Sequence, residues 1–110
     1  MSSLSNYLRT HRRRLTLSQE EVAFLLGVNG ESKGSKVSRD ESLTREPSLQ
    51  TALAYQIIYG TPVHELFAGL YEQVEREVME RAKILRHRNS TKQKPKLQQI
   101  IANLIAQATV

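Results

Sequence analysis

An all-α fold is what this sequence predicts, and three observations carry the prediction. Apolar residues recur at helical spacing along nearly every periodic stretch, and no run alternates apolar with polar residues for long enough to make a strand. Capping and stop residues also stand where those stretches begin and end. With 110 residues, of which 39% are hydrophobic, the chain can bury one modest core. The expected division is a helical bundle over residues 1–69 followed by a helical extension over residues 70–110.

The first helix is marked by Leu4, Leu8, Arg12 and Leu15, with Arg9, Arg13 and Arg14 on its other side. The basic end suits the negative pole of a helix dipole. The second has the clearest start in the chain. Ser18 stands three residues before Glu21, the spacing of a reciprocal capping box, with Leu17 and Val22 as its hydrophobic staple. Its core face is read as Val22, Ala23, Leu25 and Leu26, and Gly27 supplies the left-handed stop. Residues 28–34 read as a loop in which Gly30 and Gly34 permit positive φ.

A third, polar helix is expected over about residues 35–43. Val37 and Leu43 are its apolar anchors, while Lys36, Ser38, Arg39 and Asp40 face outward. Ser48 caps a fourth helix whose core residues are read as Leu49, Ala52, Leu53, Ile57 and Ile58, ending at Gly60. Thr61-Pro62 opens a short fifth, with Val63, Leu66 and Phe67 inward. A long charged helix then runs over about residues 70–88, its stripe formed by Leu70, Val74, Val78, Ala82 and Leu85. Residues 89–96 read as a basic linker, and residues 97–108 as a last amphipathic helix using Leu97, Ile100, Ile101, Leu104 and Ile105.

Composition narrows the function classes. Lys and Arg number 16 against 11 Asp and Glu, a net charge of +5, which favours a polyanionic partner. Without cysteine there is neither a disulfide framework nor a thiolate metal site, and a cytoplasmic location is expected. No stretch approaches the roughly 18 apolar residues of a membrane span, and the N-terminus lacks the apolar core of a signal peptide. His11, His64 and His87 are scattered without ligand spacing, no serine sits in a nucleophile elbow, and no glycine loop would cradle phosphate. Neither an enzyme, a cofactor nor a metal is expected.

The pair of short helices around Gly27, the first capped and apolar, the second polar and basic, has the layout of a reader of base edges. At these residues the chain resembles the Cro/C1-type (XRE-family) helix-turn-helix domain. The resemblance runs through Leu17-Ser18-Gln19-Glu20-Glu21-Val22-Ala23 and Leu26-Gly27-Val28. It continues through Val37-Ser38-Arg39, Glu41, Pro47-Ser48-Leu49 and Tyr59-Gly60 to Glu65-Leu66-Phe67. It implies a five-helix lambda-repressor-like bundle that binds double-stranded DNA, usually as a homodimer, in a regulator of transcription such as a repressor. Carried over by position, Gln19 would contact phosphate and support the reading helix, Ser35, Lys36 and Arg39 would approach bases, and Ser38 and Arg45 would lie near phosphate. The chain departs from the family pattern in a longer stretch between Gly27 and Val37, in Asp40 where an apolar residue is common, and in Leu43 where a glycine usually ends the helix.

Several features have two readings. Arg12, Arg13 and Arg14 serve either as phosphate contacts or as a solvated face. The tract Arg81, Lys83, Arg86, Arg88, Lys92, Lys94 and Lys96 either adds sequence-blind DNA affinity or is an exposed basic linker. Tyr7, Phe24, Tyr55, Tyr59, Phe67 and Tyr71 are assigned to core packing rather than base stacking. The C-terminal apolar faces serve as a dimer contact or pack on the core. The competing function is a protein-interaction module, an antitoxin-like adaptor with a protein partner and secondary DNA binding.

Overall fold

A computed structural model describes residues 6–28, 33–43, 46–88 and 95–108, and these are helical throughout apart from turns and caps. Seven helices occur among them: α1 (Leu8–Arg14), α2 (Gln19–Leu26), α3 (Lys33–Ser42), α4 (Leu49–Tyr59), α5 (Val63–Leu66), α6 (Ala68–Arg88) and α7 (Pro95–Ala108). The chain divides into two compact units, Met1–Tyr71 and Glu72–Val110, with α6 beginning in the first unit and continuing in the second. No described helix is long and apolar enough to cross a membrane.

The caps follow the sequence. The Ser18 hydroxyl accepts from the Glu21 amide at 3.0 Å, while the Glu21 carboxylate accepts from the Ser18 amide at 2.7 Å, so α2 has its reciprocal box. Gly27 ends α2 at φ 83°, Ser48 caps α4 by accepting from the Thr51 amide, and Gly60 ends α4 at φ 62°. Leu43 does at φ 52° what glycine does more cheaply, while its side chain packs against the core.

The core of the first unit is Leu8 from α1, Val22 and Ala23 from α2, Val37 from α3, Tyr55 and Tyr59 from α4, and Leu66 and Phe67 at α5. Tyr55 is its centre. It is fully buried, stacks on Tyr59 at 5.8 Å between ring centroids, and meets Phe67 edge-on at 6.4 Å.

Four expectations about packing are corrected. On α4, Leu49, Leu53 and Ile57 are exposed, Ile57 to 80%, and Ala52, Tyr55, Ile58 and Tyr59 face the core. The α4 sequence carries no charge on any side, so apolar periodicity alone did not choose a face. On α2, Leu25 and Phe24 are exposed, the latter to 74%, and elsewhere Tyr7 and Tyr71 are about half exposed. Gly34 lies inside α3 rather than in a positive-φ turn, because that helix starts two residues earlier than expected. On α6, the buried residues are Met79 and Ala82, while Val74, Val78 and Leu85 are exposed.

In the second unit, α7 begins at Pro95, inside the stretch read as linker, proline being tolerated in a first turn. Its Ile101 is buried, with Leu97, Leu104 and Ile105 half-buried and Ile100 exposed.

Candidate nucleic-acid interface

The candidate interface is α3 and the end of α2 it packs against. Helical spacing sorts α3 into two faces. Ser35, Ser38, Arg39 and Ser42 share one side and are all exposed. Val37, Asp40 and Glu41 share the other and are all buried. Val37 supplies the apolar anchor expected of it. Asp40 is a correction: expected outward, where it would put an anion at the groove, it is 1% exposed and faces the core.

Two buried carboxylates on so short a helix need partners, and each has them. The Tyr55 hydroxyl donates to Asp40 Oδ2 at 2.7 Å, and Lys36 Nζ lies 3.8 Å from the same oxygen. This bond, together with burial as the larger cause, pushes the Tyr55 phenol up. Around Glu41, Arg12 Nε donates to Oε2 at 2.6 Å and Arg12 Nη2 to Oε1 at 3.2 Å, a two-pronged contact. Gln19 Nε2 at 3.2 Å and Arg9 Nε at 3.4 Å complete the shell on Oε1. Burial by itself pushes the Glu41 carboxyl up. The hydrogen bonds from Arg12, Gln19 and Arg9, with the Arg12 charge, outweigh it and hold the group below its ordinary 4.5.

Further braces fix the same helix. The Asn6 amide donates to the carbonyls of Asp40 and Glu41 at 3.3 and 3.1 Å, and its Oδ1 accepts from the Leu8 amide, so one side chain ties the end of α3 to the start of α1. At Gly34 α3 rests against the start of α2 at a spacing that an alanine would also fill without strain. A Cβ there would lie 3.7 Å from both Gln19 Cβ and Glu20 Cγ. The result is an open polar groove walled by Ser18, Gln19 and Glu20 from α2 and by Ser35, Ser38 and Arg39 from α3.

The residues singled out from sequence therefore fall into three groups. Ser35, Ser38 and Arg39 stand together on the groove side of α3. Gln19 is half-buried and braces α3 through Glu41, while Lys36 lies on the flank of α3 with its side chain 26% exposed and turned to Asp40. Arg13 is exposed on α1, and Arg45 lies outside the described residues. Arg12, for which a phosphate contact and a solvated face were the two readings, instead makes an internal ion pair with its side chain 12% exposed. Tyr55 is buried in the core as expected, but its bond to Asp40, the inward turn of Asp40 and the brace from Asn6 escaped the sequence reading. A signal was present for one of them, since Val37, Asp40 and Glu41 share i, i+3, i+4 spacing and must face one way.

Among the described residues no cluster of His, Asp or Glu has the makings of a metal site. Comparison of the chain with known protein families, with curated proteins and with solved structures gives no match.

Proposed function

We propose that the chain is a sequence-specific DNA-binding regulator of transcription, repressor-like, that reads the major groove with α3 as a homodimer. In this reading α1–α5 are the five helices of a lambda-repressor-like bundle of the Cro/C1 type. The observation that carries the proposal is the two-faced build of α3. Three buried side chains hold it rigidly, while Ser35, Ser38, Arg39 and Ser42 are presented on the other side. Short hydroxyl side chains let a helix approach base edges closely, and the Arg39 guanidinium has the geometry to bond guanine O6 and N7 together. Burial of Asp40 supports the reading, because it removes a carboxylate that would repel phosphate.

Selection from random duplex DNA, followed by titration of the winner and a scrambled control across salt, tests this. The proposal expects a defined half-site repeated with two-fold symmetry, and binding that weakens steeply with salt. Enrichment of no sequence over the scrambled control would refute it.

A second reading draws on α4, where Leu49, Leu53 and Ile57 form an exposed apolar row at four-residue spacing. It makes the chain a protein-interaction module with secondary DNA binding. A one-to-one complex with a single protein, lost on Ile57→Lys, together with weak duplex binding at about 150 mM salt, would favour it over the first.

A further inference from the structure

The charge of the chain is unevenly placed. Residues 1–71 contain eight Lys and Arg against seven Asp and Glu, so the unit that holds α3 is nearly neutral. Internal pairing reduces its reach further, since Arg9 and Arg12 are engaged by Glu41 and Lys36 by Asp40. Residues 81–96, by contrast, carry seven Lys and Arg, and from Arg81 to the last residue there is no Asp or Glu.

From this we infer that the last two turns of α6 form a second, sequence-blind contact for the phosphates of duplex DNA. Arg81, Lys83, Arg86 and Arg88 are all exposed there. At seven-residue spacing Arg81 and Arg88 fall on one side of the helix, and Lys83 and Arg86 fall on the opposite side. The helix rises roughly 10 Å from Arg81 to Arg88, a length over which a duplex carries about six phosphate charges. A favourable helix dipole accounts for cations in the last turn, but not for a tract that begins at Arg81 and continues in sequence to Lys96.

Duplex DNA fits better than an anionic membrane. A helix lying in a bilayer surface needs one continuous apolar side. In the last two turns of α6 Arg81 and Arg88 fall between Ile84 and Leu85, interrupting the exposed apolar row that Val74 and Val78 begin. The contact supplies affinity without base preference and so goes beyond the proposed reading by α3, although the choice of DNA over lipid leans on that reading.

The test uses the full chain with Arg81, Lys83, Arg86 and Arg88 all changed to Gln, which retains helix propensity. Binding to a selected duplex and to a scrambled one is titrated across salt. The slope of log K against log salt should flatten by about 0.9 for each phosphate no longer neutralised, equally for both duplexes, leaving their affinity ratio within about twofold of the unchanged chain. Arg86→Gln and Arg88→Gln, made singly at exposed positions, should each take a share of that change, and the corresponding Arg→Lys variants should not.

Unaltered slopes in the multiple and single variants would overturn the inference. So would retention on phosphatidylserine vesicles that outcompetes duplex DNA and is lost in the same variants. If the unchanged chain shows no preferred duplex but the variants still lose scrambled-duplex affinity, the reading by α3 fails and the α6 site stands.

Discussion

Arg12 on α1 and Glu41 on α3, 29 residues apart, meet through two hydrogen bonds of 2.6 and 3.2 Å with the Glu41 side chain shut off from solvent. Neither charge stands well alone in that place. Arg12→Ala should therefore cost about 3–5 kcal/mol of stability, chiefly by leaving Glu41 buried without its main partner. Replacing both residues together with apolar ones of similar volume should cost much less. Chemical denaturation of the three variants beside the unchanged chain measures the difference, and equal losses for single and double changes would contradict it.

The same pair sets an acid limit. Because Glu41 titrates below 4.5 in the folded chain, its contribution to stability is complete above that value and is lost as pH falls through the depressed folded value. Unfolding midpoints followed downward from neutral pH should fall in that range, and Glu41→Gln, less stable at neutral pH, should show a shallower dependence. At the alkaline end the sign is reversed. Burial first, and the nearby Glu41 charge second, push Tyr59 from 10.0 up to about 12, so stability should decline as pH rises between those values.

Two buried tyrosines one helical turn apart should respond oppositely to loss of a hydroxyl. Tyr55→Phe leaves Asp40 without its 2.7 Å donor and should cost about 1–3 kcal/mol. The Tyr59 hydroxyl is buried without a hydrogen-bond partner among the described residues, so Tyr59→Phe should be neutral or stabilising by up to about 1 kcal/mol. Thermal melts of the two variants would show whether the order holds.

Thr16 follows α1 at φ 57°, a conformation poorly suited to a β-branched residue, and its hydroxyl donates to the neighbouring Leu15 carbonyl. Thr16→Asn should keep the turn and stabilise the chain by roughly 0.5–1 kcal/mol, since asparagine tolerates the left-handed region. A lowered unfolding midpoint would show that the threonine is not strained there.

The legibility of this chain differs from element to element for physical reasons. Local signals were readable: the Ser18–Glu21 box, the stops at Gly27 and Gly60, and the restart at Pro62 each depend on residues within one turn. Faces were harder. α4 has no charged residue to mark its wet side, so apolar spacing favours Leu49, Leu53 and Ile57 as readily as Ala52 and Ile58, and the Asp40 that accepts from the Tyr55 hydroxyl lies 15 residues earlier. Helical spacing is enough to put Ser35, Ser38 and Arg39 on one side of α3, yet not to fix the surroundings of Lys36, Asp40 and Arg12, because each is settled by a partner on another turn or another helix. Charge counts treat every Lys and Arg alike. Pairing in space decides which of them a polyanion can meet.

Arg39 tests the central claim most directly. On a duplex enriched by selection, Arg39→Ala should cost about 1–3 kcal/mol of binding and relax preference at one base position, with little change on a scrambled duplex. Lys36→Gln, at a side chain turned to Asp40, should leave that preference in place. Undiminished discrimination by the Arg39 variant would contradict the account.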